Sequence, residues 1–292
     1  MRNIGLYIFL FLLILFTGDR LLSILIDKFI VSKSEFRYSK LYRGKAKADI
    51  LIIGNSRGLS FYQPSIEEET GLSVFNLSYN GLPTNLALVL FKDYLKVNGA
   101  PKLVIIELTM PGNRKQLITN FGLYSSYSSD VEALIEQQSK SIGISNKLFH
   151  LTRYNGELFQ RSVYYLNKDD SNWLLTSTIS ERALQRQNAP GFDFEFDREA
   201  MEGYKTIIAI CKQNNIPFKL VINPYLPDYS KRIKNFDTYK ASIRDYLQEP
   251  IYDFSKSITS IEFFSDPLHL NVDGGREYIK LLKSKDIFST DK

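Results

Sequence analysis

The chain has 292 residues, of which 44% are hydrophobic and 24% charged, and these are ordinary proportions for a globular protein. Its 18 Tyr and 20 Phe residues, with well-mixed charges, exclude a disordered chain. The formal charge of +5 suits an anionic surface or polymer as a partner, whereas nucleic acid is not expected, because the basic residues are scattered and the familiar nucleic-acid-binding motifs are missing.

The cysteine and histidine counts limit the chemistry further. The single cysteine, Cys211, allows no intramolecular disulfide and no thiolate metal cluster, and its apolar surroundings predict a small buried hydrophobe. There are two histidines, His150 and His269, so a multi-histidine metal site is not expected. We therefore expect neither a metal nor another cofactor.

An unbroken apolar run, Ile4 to Phe16, lies near the amino terminus. Such a run is typical of a signal-peptide core, a buried helix or the centre of a short membrane anchor. A buried helix is disfavoured because the run is apolar on every side. No small-x-small cleavage site follows it, so we predict a membrane anchor or uncleaved signal over residues 1–30.

After a charged connector at residues 31–47, strand-like and helix-like segments alternate. The predicted strands are Ile50–Ile53, Val74–Leu77, Leu103–Leu108, Phe218–Ile222 and Ile251–Phe254. The predicted helices are Ser65–Thr70, Leu86–Val97, Arg198–Gln213 and Gly274–Leu282. Apolar strands separated by helices predict parallel pairing with right-handed crossovers, hence a three-layer α/β/α fold. Ligands of such sheets bind beyond the carboxyl ends of the strands.

One long segment does not follow this alternation. Residues from about 114 to 195 are rich in Ser, Tyr and Asn and show little sustained periodicity. We interpret them as an insertion in one α/β domain at residues 48–285, rather than as an independent domain.

A serine follows the first predicted strand, in the sequence Gly54-Asn55-Ser56. Small residues around a serine let the chain turn sharply and present the hydroxyl near the amino end of the next helix. Backbone N–H groups there can stabilise a developing negative charge. Gly-Asn-Ser is also common in ordinary turns, so by itself this motif leaves both interpretations open.

A second motif, SDPLHLNVDGG, places Asp266 and His269 three residues apart near the carboxyl terminus. At this spacing the carboxylate can reach one imidazole nitrogen, which fixes the tautomer and leaves the other nitrogen to accept a serine proton. The structural alternative is that Asp266 begins a turn and His269 caps the following helix. Both motifs in one alternating α/β chain make a Ser-His-Asp triad the stronger hypothesis.

The motifs resemble those of the SGNH (GDSL-like) hydrolase superfamily over residues 48 to 280. Gly54-Asn55-Ser56-Arg57 stands at the first block, usually Gly-Asp-Ser-Leu, and NLSYNG, ending in Asn80-Gly81, is similar to the second. Asp266-x-x-His269 matches the last block. The third block departs from the usual Gly-x-Asn-Asp, because the loop reads ELTMPGNRK and offers Asn113 as its candidate donor. The resemblance implies a parallel five-stranded, flavodoxin-like sheet.

The resemblance also implies the roles of the site residues. The implied catalytic triad is Ser56, Asp266 and His269. The implied oxyanion hole draws on Ser56, Gly81, Asn80 and Asn113, with backbone N–H groups from the first two.

An amino-terminal anchor followed by this domain is similar to the architecture of DltD-like proteins and bacterial polysaccharide O-acetyltransferases. It implies acyl transfer from an acylated donor to a cell-envelope glycan, with a membrane-bound acyl-supplying protein as a candidate partner. A tethered carbohydrate esterase and a non-catalytic assembly subunit stay open as alternatives. The resemblance places the domain outside the cytoplasm, although a literal positive-inside count would place it inside. The basic residues responsible are Arg20, Lys28, Lys33 and Arg37.

Other candidate residues have structural interpretations. His150 is expected to be structural, because no acid or nucleophile flanks it. Arg57 is expected to be a solvated arginine. Several aromatic residues could stack on sugar rings, but ordinary packing explains them equally well. These are Tyr124, Tyr127, Tyr164, Tyr165 and Trp173.

Overall fold

The computed structural model describes residues 2–108 and 114–290. The helices are α1 Arg2–Lys33, α2 Arg37–Tyr42, α3 Gln63–Thr70, α4 Thr84–Asn98, α5 Gln116–Thr119, α6 Ser129–Gln138, α7 Lys140–Leu148, α8 Glu157–Tyr164, α9 Glu181–Gln185, α10 Arg198–Gln213, α11 Pro227–Arg232, α12 Phe236–Leu247 and α13 Val272–Ser284. The strands are β1 Ile50–Ile53, β2 Val74–Asn76, β3 Leu103–Glu107, β4 Phe218–Ile222 and β5 Ile251–Asp253.

The chain forms two compact units. The first, which we call the anchor unit, contains residues 1–45 and 115–170, and the second, the sheet unit, contains residues 46–114 and 171–292. The insertion expected at about 114–195 therefore divides between them, since residues 171–195 cluster with the sheet.

The sheet unit contains one five-stranded parallel sheet with the order β2-β1-β3-β4-β5. In the centre, Ile50 of β1 is in register with Val74 of β2 on one side and with Leu103 of β3 on the other. This order is the flavodoxin-like form of the doubly wound fold, in which ligands bind at the carboxyl ends of the central strands. The predicted α/β fold class is confirmed.

The apolar strands are buried because helices cover both faces of the sheet. One face contributes Ile50, Ile52 and Ile105 to a core cluster with Ile66 of α3 and Leu282 of α13. The alternate residues of β1 and β3 point to the opposite face and are fully buried as well. On that side α4 and α10 pack against each other and form the third layer.

The anchor unit begins with one long apolar helix. Among the described residues, Ile4–Lys33 is the one helix long and apolar enough to cross a membrane, and a signal sequence would meet the same criterion. Its large side chains from Ile4 to Phe16 are exposed. The alternative of a buried soluble helix is therefore wrong for this run.

Aromatic side chains build the interior of the anchor unit. Tyr124 is fully buried, and its hydroxyl lies 2.9 Å from Ser39 Oγ and 2.7 Å from Ser162 Oγ. Its ring packs against those of Tyr38 and Tyr42. Ordinary packing thus accounts for Tyr124, and sugar stacking does not.

Candidate active site

The position of Ser56 is set by the end of β1. A short 3₁₀ helix, Ser56–Ser60, begins three residues after Ile53, and the Asn55 side chain accepts a hydrogen bond from Arg57 N at 2.9 Å. Gly58 allows this turn to approach the loop after β2, because a Cβ there would lie 2.2 Å from Ser78 Oγ. The turn leaves Ser56 half-buried at the carboxyl edge of the sheet.

The loop before α13 is shaped by Asp266. Its Oδ1 accepts hydrogen bonds from the backbone N–H groups of Leu268 at 2.8 Å and His269 at 3.0 Å. The side chain of Asn271, and not that of His269, caps α13 by accepting from Gly274 N at 2.9 Å. His269 is therefore free of the structural role that the sequence left open for it.

The structure brings Ser56, His269 and Asp266 together although 213 positions separate the serine from the histidine. His269 Nε2 lies 2.9 Å from Ser56 Oγ, and His269 Nδ1 lies 2.8 Å from Asp266 Oδ2. An ionised carboxylate accepts the Nδ1 proton, which leaves Nε2 as the acceptor facing the serine hydroxyl. This order of contacts is that of a nucleophile, a base and an orienting acid.

The electrostatics keep Asp266 ionised. Burial acts to raise the pKa of this carboxyl, but the hydrogen bond and charge of His269 and two backbone N–H groups hold the pKa below its usual value. His269 itself is partly accessible, with 28% of its side chain exposed. A substrate can therefore reach the serine and the imidazole from solvent.

Two of the residues expected at the oxyanion hole lie near Ser56. Asn80 and Gly81 line the same cavity as Ser56, and Gly81 has a φ of +68°. The Asn76 side chain joins this loop to the serine turn by donating to Gly58 O and accepting from Ser78 N, both at 2.9 Å. Asn113 lies outside the described residues, so its part stays a prediction.

A cavity of about 420 Å³ opens at the triad. Its polar lining includes the triad, Asn80 and Arg114, and Arg114 Nη1 lies 3.3 Å from Asn80 O. Its apolar lining residues are Leu59, Trp173, Leu174, Leu175 and Leu270. The size falls in the range of small-molecule sites, and a lining that is partly polar and partly apolar suits an acyl ester.

Arg57 is buried, and the expectation of a solvated arginine is wrong. Its side chain is 2% exposed and donates to Leu268 O at 2.6 Å and to Asn223 O at 2.6 Å. Its guanidinium also stacks on the Tyr225 ring at 3.6 Å. The residue after Ser56 therefore ties the loop that carries His269 to the end of β4.

Two further polar residues were missed by the sequence analysis. Glu107, the last residue of β3, is fully buried with Oε1 3.5 Å from Arg57 Nε. Asn223, directly after β4, donates to Arg57 O at 2.8 Å and accepts from the Tyr278 hydroxyl at 2.7 Å. A polar residue at the carboxyl end of an apolar strand is the signal that could have identified both.

The structure also places two other residues that the sequence analysis discussed, Trp173 and Cys211. Trp173 lines the cavity and packs edge-on against Tyr79, whereas Cys211 is fully buried in α10. The predicted apolar setting of Cys211 is confirmed. Within residues 2–108 and 114–290, no group of three or more His, Cys, Asp or Glu side chains is placed as metal ligands would be.

Comparisons with known proteins give low similarity. No protein-family model and no curated protein sequence matches the chain. Among solved structures, a Bacteroides fragilis protein provisionally assigned as an acylhydrolase is 12% identical, with a TM-score of 0.42 over 83% of this chain and 88% of that one. A GDSL-like lipase from Bacteroides thetaiotaomicron is 12% identical, with a TM-score of 0.38 over 81% and 86%.

A third structure is similar to the same extent. A Streptococcus pneumoniae protein provisionally described as a platelet activating factor is 14% identical, with a TM-score of 0.44 over 91% of this chain and 98% of that one. All three similarities are too low to assign a family or an activity. The function therefore has to be inferred from the site itself.

Proposed function

We propose that this chain is a serine-dependent acyl-transfer enzyme of the SGNH (GDSL-like) type, anchored in a membrane and acting on a cell-envelope glycan. The supporting observation is the contact series Ser56 Oγ, His269 Nε2, His269 Nδ1 and Asp266 Oδ2, with separations of 2.9 and 2.8 Å. The cavity above Ser56 and the apolar helix α1 support the substrate class and the anchoring.

In the first step, Ser56 Oγ attacks the carbonyl carbon of an ester donor while His269 Nε2 takes the hydroxyl proton. Asp266 stabilises the resulting imidazolium, because its carboxylate is ionised and in contact with Nδ1. The oxyanion faces the backbone N–H groups of Ser56 and Gly81, and each such donor typically lowers the barrier by about 3 kcal/mol. His269 then protonates the departing alcohol, which leaves an acyl group on Ser56.

In the second step, a glycan hydroxyl attacks the acyl-enzyme and His269 removes its proton. Collapse of the second tetrahedral intermediate returns the proton to Ser56 and releases the O-acylated glycan. Water in the same position would give esterase chemistry instead. The triad serves both acceptors equally well, so the acceptor has to be identified by experiment.

The apolar lining of the cavity favours an acceptor with a flat, weakly polar face. Trp173 lines the same cavity as Ser56 and His269, and the C–H groups of a sugar ring can stack on an aromatic face of this kind. Arg114 in the cavity lining suits an anionic group on the donor or on the polymer. These features motivate envelope glycans as acceptors.

The test compares acceptors on one acylated enzyme. The full chain in detergent is incubated with an activated acetate ester, with and without candidate envelope glycans, and both glycan acetylation and free acetate are measured. Glycan-dependent turnover with acetylated product supports the transferase. Fast acetate release that no glycan changes would instead assign the chain as a tethered esterase.

A further inference from the structure

The anchor unit exposes an apolar surface away from its own interior. We call it the 142–151 surface, and it extends over α7 and the 3₁₀ helix that follows. Its members are Ile142, Ile144, Leu148, Phe149 and Leu151, with exposed fractions of 37%, 58%, 57%, 48% and 38%. Isolated apolar side chains on a surface need no explanation, but five within ten residues suggest a contact.

This surface is fixed to one level of α1. The carboxylate of Asp19 accepts hydrogen bonds from His150 N at 2.8 Å and Leu151 N at 3.0 Å. The neighbouring Arg20 donates to Lys147 O at 3.0 Å and to Leu148 O at 3.1 Å. Asp19 and Arg20 therefore provide hydrogen-bond partners for backbone groups at the end of α7 and in the turn that follows it. These contacts fix the 142–151 surface at one position along α1.

A second set of contacts lies further along the same helix. Ser23 Oγ is 2.8 Å from the Tyr154 hydroxyl, and Ser126 Oγ donates to Asp27 Oδ2 at 2.8 Å. From Asp19 onward, α1 is thus packed on one side against residues 115–170. The preceding run from Ile4 to Phe16 is exposed.

Helix length places the membrane boundary at this level. A hydrocarbon core of about 30 Å is crossed by about 20 helical residues. Counted from Ile4, such a span ends near Ser23, within one turn of Asp19 and Arg20. The backbone that carries Leu148, Phe149 and Leu151 is hydrogen-bonded to those two residues, so these side chains lie at the edge of the bilayer.

Charge supports a lipid surface as the occupant. The anchor unit contains 14 Lys and Arg residues against nine Asp and Glu, whereas the sheet unit contains equal numbers of both. The net charge of +5 therefore resides in the unit that carries α1. A basic unit with exposed apolar side chains at the membrane boundary matches the chemistry of interfacial membrane binding.

We propose that the 142–151 surface inserts into the interface of an anionic phospholipid membrane beside α1, and fixes the anchor unit against the bilayer. This contact goes beyond the acyl-transfer activity and does not depend on it. It does depend on α1 crossing the membrane. The chain would then contact the membrane at two places, through α1 and through the 142–151 surface.

The test uses variants of the full chain that each carry one introduced cysteine, labelled with an environment-sensitive dye. The native Cys211 is fully buried, and burial raises the pKa of its thiol to about 12, so it should resist labelling while the fold is intact. Leu148→Cys and Phe149→Cys report on the surface, and Leu10→Cys reports on the anchor. A labelling ratio of one dye per chain therefore also shows that Cys211 is buried and that the fold is intact.

The matched control is Asp169→Cys, in the same unit. Asp169 is exposed and pairs with Lys40, just beyond the carboxyl end of α1. The 14 residues from Asp19 to Lys33 place that end about 20 Å further along the helix than the 142–151 surface. A label at Asp169 should therefore stay in water in every membrane preparation.

Each variant is reconstituted into vesicles of phosphatidylethanolamine and phosphatidylglycerol that contain lipids with a quencher on the acyl chain. Interfacial side chains lie about 5–10 Å deep, so the labels at Leu148 and Phe149 should lose about half or more of their fluorescence, as should the label at Leu10. The label at Asp169 should be unchanged.

Labels at Leu148 and Phe149 that stay accessible to aqueous quencher, while the label at Leu10 is lipid-quenched, would overturn the proposal. Shielding that requires a second membrane protein would overturn it as well, because the occupant would then be a protein. A label at Leu10 that remains in water would overturn it by removing the anchor. None of these results affects the test on Ser56.

Discussion

Arg57 and Glu107 form an ion pair inside the sheet unit, with Nε and Oε1 3.5 Å apart and exposed fractions of 2% and 0%. The pair joins the turn that carries Ser56 to the end of β3. Arg57 also donates a hydrogen bond to Leu268 O, in the loop that carries His269. The relative positions of Ser56 and His269 therefore depend on a buried residue outside the triad.

Replacing Arg57 should cost both stability and activity. Arg57→Leu leaves the buried Glu107 carboxylate without this cation, and breaking such a pair typically costs about 3–5 kcal/mol. We expect a markedly lower melting temperature for the full chain in detergent and a loss of esterase activity. Arg57→Lys should retain only part of the wild-type stability and activity, because an ammonium group cannot make the forked contacts of a guanidinium.

A double variant separates the two effects of Arg57, which are pairing with the Glu107 charge and positioning of the loop that carries His269. In Arg57→Leu/Glu107→Gln the unpaired charge is absent, so much of the lost stability should return. Activity should stay low, because Leu268 O still lacks its donor. If the double variant recovered full activity, Arg57 would have no positioning role at the histidine loop.

Asp266→Asn should preserve the fold and lower kcat by about 10⁴, as loss of the orienting carboxylate does in Ser-His-Asp triads. Ser56→Ala and His269→Ala should lower kcat further, by about 10⁶. Turnover of an activated acetate ester measures all three, with circular dichroism as the folding control. A harmless Asp266→Asn would mean that another group orients His269.

The lowered pKa of Asp266 predicts a definite pH dependence. A carboxyl whose folded pKa lies below its unfolded value, about 3.9, stabilises the protein above that value. The contribution is lost as the pH falls through the lower, folded pKa. The difference in melting temperature between wild type and Asp266→Asn should thus be constant near neutrality and shrink below about pH 4. A difference that is the same at pH 7 and pH 3 would contradict the shift.

Gly81→Ala should damage the oxyanion hole. The φ of +68° is unfavourable for an L-residue, and the new Cβ would lie 2.5 Å from Arg114 Cδ. Because the Gly81 N–H is the proposed second donor, we expect kcat to fall by about 10²–10³ with little change in KM. Ser78→Ala, which alters a side chain near the same loop, serves as a comparison. Equal losses in both variants would remove Gly81 from the oxyanion hole.

Trp173→Ala should separate acceptor binding from chemistry. Trp173 lines the cavity but has no part in the proposed proton transfers, so hydrolysis of a small acetate ester should stay near the wild-type rate. The KM for a glycan acceptor should rise about 2- to 10-fold, the usual value of one aromatic contact. Trp173→Phe should retain most of the affinity. An unchanged KM would exclude stacking by Trp173.

The sequence was sufficient for the elements whose pattern is local. β1, β4 and α10 lie at their predicted bounds, because branched strands and a capped amphipathic helix are encoded by neighbouring residues. The parallel pairing of the strands followed from the alternation of strands and helices, whereas the flavodoxin-like sheet was implied by the family resemblance. Ser56, Asp266 and His269 were selected because their motifs are short and close to elements with clear patterns.

The rest depended on contacts between distant residues. The helices α5 to α8 are short, and α6 and α7 begin at the isolated serine caps Ser128 and Ser139, so no long periodicity in the sequence indicated them. Arg57 was misjudged because its partners lie 50 or more positions away, at Glu107, Asn223 and Leu268. Burial that depends on such distant partners cannot be predicted from the local sequence.

The central claim is that Ser56 is acylated. The most direct measurement is mass spectrometry of peptides from the full chain after brief incubation with an activated acetate ester, for wild type and for Ser56→Ala. We predict one acetyl group on the peptide that contains Ser56, absent from Ser56→Ala and much reduced in His269→Ala. No acetyl group in wild type, or equal acetylation in Ser56→Ala, would contradict the proposed mechanism.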